Sequence, residues 1–159
     1  MGFLSAARPP GDRVEVTQWA LRSFAEVRLL RAALRQTLRE QPLPDGGVLG
    51  TLLEKMAIVA TELAANAMAH ARPPTTVRLF RTERTFILDV ADNEPWIIPK
   101  LADERSLRPR GLGLHMARQL SLDIGWYVDD GTKHVWAQVA IPTARRPAED
   151  DDPPPRSGP

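Results

Sequence analysis

The stretch TELAANAMAHA, residues 61–71, sets Glu62, Asn66 and His70 at four-residue spacing among alanines. Residues four apart stack on one face of a helix, so the three side chains form a polar stripe. A carboxylate and an amide oxygen one turn apart can share a hard cation, and the carboxylate can also take a proton through water. The same spacing suits a solvated helix face, and both readings stand on spacing alone. His70, near the expected helix end, complements the helix dipole as a cation and is given no chemistry. Further on, Asp92 closes the apolar run TFILDVAD and enters an irregular segment. A carboxylate there can accept a hydrogen bond from a ligand amine, or simply turn the chain. In RPRGLGLHMARQL, Gly111 and Gly113 open a helix beside Arg108 and Arg110. Backbone N–H groups and guanidinium groups so placed suit an anion, although glycine also permits an ordinary helix start. No strand precedes this G-x-G, the remainder of the dinucleotide fingerprint is missing, and there is no Walker A loop.

The elements that must position these residues follow from periodicity. VEVTQWA alternates as a strand does, and 23–40 places Phe24, Val27, Leu30, Leu34 and Leu38 on one helical stripe with an arginine-rich outer face. QPLPDGG stops that helix, and a second runs from about Val48 to His70 with Leu52, Met56, Val59, Leu63 and Ala67 inward. Pro73 and Pro74 end it. TTVRLFR and TFILDVAD read as two antiparallel strands. Residues 93–110 form a long loop, the kind that tends to be functional. GLGLHMARQLSL becomes a helix, and DIGWYVDD, GT and KHVWAQVAIP make a last hairpin. The order predicts an α+β two-layer sandwich, with helices on one face of a mostly antiparallel sheet.

At 159 residues with 43% hydrophobic content, the chain fits one domain, 13–142, between a flexible N-terminus, 1–12, and a disordered Pro- and acid-rich tail, 143–159. The 21 basic and 20 acidic residues nearly cancel, so overall charge points neither to nucleic acid nor to an anionic membrane. Lack of cysteine excludes disulfides, thiol nucleophiles and thiolate metal sites. No apolar run approaches the ~20 residues that span a bilayer, and the start is unlike a secretory signal. The expectation is a soluble, cytoplasmic protein.

Taken in order, these motifs resemble those of the GHKL ATPase superfamily, the Bergerat or histidine-kinase-like ATPase fold, over about residues 15–142. More narrowly, the chain is similar to the small anti-sigma factor serine kinases of actinobacterial type. ELAANAMAHA resembles the N box, DVADNEP and RGLGL the two glycine boxes, and GTKHVWAQVAIP the closing strand. The resemblance implies ATP and Mg²⁺ as cofactors, with Glu62 as general base and Asn66 as metal ligand. It implies that Asp92 bonds the adenine amino group and that Gly111, Leu112 and Gly113, flanked by Arg108 and Arg110, hold phosphates under a lid at about 96–110. Thr132 matches a threonine that assists adenine binding. The implied activity is phosphorylation of a serine on an anti-sigma factor antagonist, alternating with sequestration of a sigma factor. Glu94, Trp96 and Pro109 stand where the family usually carries glycine, which motivates an alternative: a binding module of this fold that sequesters a regulator without ATP turnover. A third reading has the helix bearing Arg22, Arg28, Arg31, Arg35 and Arg39 contact DNA phosphates. The charge balance disfavours it, and a protein interface or homodimer surface suits that helix better.

Overall fold

The computed structural model describes residues 4–70, 72–93 and 113–144. In chain order the elements are β1 (Ser5–Ala6), β2 (Val14–Leu21), a 3₁₀ turn (Phe24–Glu26), α1 (Val27–Glu40) and α2 (Leu49–His70). There follow β3 (Thr75–Arg81), β4 (Thr85–Asp92), α3 (Gly113–Leu120), β5 (Asp123–Asp129) and β6 (Thr132–Ala140). The strands form one sheet in the order β1-β5-β6-β4-β3-β2, antiparallel throughout except for the parallel β1–β5 pair. This is the α+β arrangement expected from the sequence.

Strand alternation decides which side chains meet the helices. On β4, Phe86, Leu88 and Val90 enter the core, and their partners across the ladder, Val139, Ala137 and Val135 of β6, enter it too. Val77 and Leu79 of β3 do the same. The helices answer with two apolar stripes: Val27, Leu30, Leu34 and Leu38 on α1, and Leu52, Met56, Val59, Leu63 and Ala67 on α2, all buried. Phe24 departs from the expected stripe and is 63% exposed. It lies in the 3₁₀ turn, where three residues rather than 3.6 complete a revolution, so its phase is not that of α1. α3 seats Leu114 and Ala117 in the core, beside α2.

Two local features fix the far side of the sheet. The β5–β6 hairpin turns through Asp130 and Gly131 at φ 49° and 75°, the paired left-handed conformation of a tight turn that Asp-Gly sequences accept. Gly125 on β5 lets the Trp136 ring lie close: a Cβ there would stand 3.0 Å from both the ring and the Ser5 carbonyl.

Within the span read above as the N-terminal end, β1 pairs with β5 at one sheet edge, and Leu4 is buried. The indole N–H groups of Trp126 and Trp136 donate to the carbonyls of Leu4 (3.1 Å) and Ala7 (2.8 Å). Because β2 lies at the opposite edge, residues 7–13 cross the face of the sheet away from the helices. Arg8 sits over the Tyr127 ring and Arg13 over Phe80 on the way. Among the described residues no helix is long and apolar enough to cross a membrane.

Candidate functional site

β4 carries three successive inward side chains against the helical layer, and Asp92 continues that alternation at its last position. The carboxylate is therefore driven inward, and it is 1% exposed. Directly opposite on β6 stands Lys133, also 1% exposed, with its Nζ 3.2 Å from Asp92 Oδ2. Burying either charge alone would cost several kcal/mol or more, so each accounts for the other's presence. The end of the central strand thus holds an inward-facing carboxylate paired with a lysine.

The helix motif sits on α2. Leu63, Ala64 and Ala67 are its buried face, and Glu62 and Asn66 lie half-buried at the margin, one turn apart. Burial pushes the Glu62 carboxyl above its ordinary 4.5. Glu62 opens on a groove of about 390 Å³ between α1 and α2, where Arg31 and Arg35 face Glu54, Ile58 and Thr61. Gly113 is the first residue of α3, whose N-terminal turn is held beside α2 by Leu114. That turn presents the positive end of the helix dipole. Arg108, Arg110, Gly111 and Leu112 lie outside the described residues, as do Glu94, Trp96 and Pro109.

A family profile described as Histidine kinase-like ATPase domain matches residues 22–139. The chain belongs to the histidine kinase-like ATPase family. Comparison with curated proteins gives no match. Family membership carries nucleotide binding with it, and the residues present fit a nucleotide. An inward carboxylate can accept from an amino group, and a helix N-terminus favours an anion. Among the described residues no group of three His, Cys, Asp or Glu side chains could hold a metal alone. Mg²⁺ usually takes few protein ligands and completes its shell with phosphate and water, which suits a single amide such as Asn66.

Thr132 is not brought to this site. Lys133 faces the helices, so Thr132 beside it faces the other way, and it lines a cavity on the outer face with His134 and Tyr127. Sequence reading also missed Lys133, although a signal for it exists. In THE closing strand of this ATPase domain, alternation puts Lys133, Val135, Ala137 and Val139 on one side, so a lysine in that series reads as a buried charge needing a partner.

Proposed function

We propose that this histidine kinase-like ATPase domain is a regulator of the anti-sigma factor serine kinase type, phosphorylating a serine of an antagonist protein and alternately sequestering a sigma factor. ATP supplies the phosphoryl group, and Mg²⁺ neutralises charge on the phosphates. Asp92 accepts the adenine amino group, with Lys133 beside it holding the carboxylate in place. Asn66 offers its amide oxygen to the metal. Gly111, Leu112 and Gly113 give backbone N–H groups to phosphate, with Arg108 and Arg110 countering developing charge. Glu62 accepts the proton of the serine hydroxyl, and the Arg31–Arg35 groove admits the segment carrying that serine.

The observation that carries this reading is Glu62: a half-buried carboxyl whose pKa burial raises, beside an open groove and one turn before Asn66. Phosphorylation would then weaken the antagonist's grip by charge and desolvation. The test is phosphate transfer to a cognate antagonist. Glu62→Ala is expected to lower it at least a hundredfold, the usual worth of a positioned acid–base group, and unchanged transfer refutes the kinase reading.

The buried ion pair favours a second reading, in which Lys133 holds Asp92 for structural reasons and the domain binds a regulator without turnover. Partner binding would then be indifferent to ATP and to Asn66→Ala.

A further inference from the structure

The outer face of the sheet carries a second constellation, back to back with the first. Thr76, Ala91, His134 and Tyr127 are successive cross-strand partners on β3, β4, β6 and β5, one register step from the Asp92–Lys133 row. Below them Asp89 of β4 is 1% exposed, with both oxygens engaged. Tyr127 Oη donates to Oδ2 at 2.7 Å, and His134 Nδ1 meets Oδ1 at 2.7 Å. With Nδ1 engaged by Asp89, Nε2 is left as the ring's other hydrogen-bonding atom. The Tyr127 and His134 rings stack with centroids 4.5 Å apart and planes within 5°, which fixes the imidazole further. Burial, reinforced by the bond to Asp89, raises the Tyr127 pKa and keeps the phenol a donor.

This oriented imidazole lines an open cavity of about 440 Å³, together with Arg8, Arg13, Arg78, Thr132 and Asn93. The three guanidinium groups come from two sources, β3 and the segment 7–13 laid across the sheet. Carboxylates answer two of them loosely: Asp129 is 3.9 Å from Arg8, and Glu15 is 3.8 Å from Arg78. Arg13 meets no carboxylate among the described residues. Its Nη1 donates to the Pro10 carbonyl at 2.9 Å, and its Nε is buried without a hydrogen-bond partner. A buried donor left without an acceptor is unfavourable, and a turn of the Arg13 guanidinium toward an anion in the cavity would satisfy it.

We propose that this cavity is an anion site for a phosphomonoester, distinct from the nucleotide site on the helical face. Forked guanidinium donors match phosphate oxygens in pairs. Arg8, Arg13 and Arg78 stand against Asp129, Glu15 and the buried Asp89, so it is the forked donors rather than a surplus of charge that favour phosphate here. The volume exceeds what inorganic phosphate fills, leaving room for a small organic body.

The test is titration of the full chain with inorganic phosphate, glycerol phosphate and a short phosphoserine peptide, followed by calorimetry and by the imidazole resonances of His134. Acetate at matched ionic strength is the control. Saturable binding of a phosphate probe that shifts His134 is expected. Arg13→Gln and Arg8→Gln should each weaken it by roughly tenfold to a hundredfold, the factor that a charge-assisted hydrogen bond carries. Neither residue is in the core, so both variants should fold. Tighter binding of glycerol phosphate would identify a free metabolite as the source, and tighter binding of the peptide a modified protein. Equal binding of acetate, or affinity untouched by both arginine variants, overturns the proposal. Asp92→Asn should leave phosphate binding intact, which separates this site's failure from failure of the nucleotide reading.

Discussion

Replacing Lys133 by methionine leaves the Asp92 carboxylate at the end of β4 without its Lys133 counter-charge. At 3.2 Å the attraction between them is about 5 kcal/mol at an effective dielectric of about 20. Much of that offsets desolvation, so the pair's net worth is small, but breaking it leaves the remaining charge under-compensated. Removing one partner of a buried pair costs about 3–5 kcal/mol. For a domain of this size that corresponds to a fall in Tm of roughly 6–20 °C. Asp92→Asn should cost a similar amount, now by stranding the ammonium from its counter-charge. The double variant, Asp92→Asn with Lys133→Met, removes both charges and should lie within about 2 kcal/mol of the wild type. Urea melts of the four proteins complete the cycle. Single variants that cost under about 1 kcal/mol, as for an exposed pair, or effects that simply add, would refute this account of the strand end.

Glu62→Gln should retain the fold while losing phosphate transfer. A carboxyl whose pKa rises on folding stabilises the folded state while protonated, and that contribution is lost as pH climbs through the folded-state value. The variant should therefore gain on the wild type as pH rises above about 4.5, in urea melts at each pH, and a constant difference would contradict the assignment. Gly125→Ala forces a Cβ against the Trp136 ring and the Ser5 carbonyl, so about 1–3 kcal/mol should be lost in thermal melts, and an unchanged Tm would show that β1 moves aside freely.

Much of the architecture was legible because it is local. The apolar stripe of α2 and the two strands TTVRLFR and TFILDVAD each lie within one element, and the structure places them as expected. Asp92 could be placed at a strand end for the same reason. What escaped depends on distant partners. Asp89 sits at an outward position of β4, yet Tyr127 and His134, some forty residues on, bury it. The Ser5–Ala6 strand is too short to show a period, and its anchors, Trp126 and Trp136, lie more than a hundred residues away. Thr132 was matched by order along the chain, and order does not say which way a strand residue faces.

Calorimetric titration with ATP and Mg²⁺, on the wild type and on Asp92→Asn, addresses nucleotide binding at the Asp92 end of β4 directly. Saturable binding at micromolar concentration that Asp92→Asn abolishes, with the variant still folded by circular dichroism, is the predicted result. Binding that survives Asp92→Asn, or none by the wild type, would contradict it.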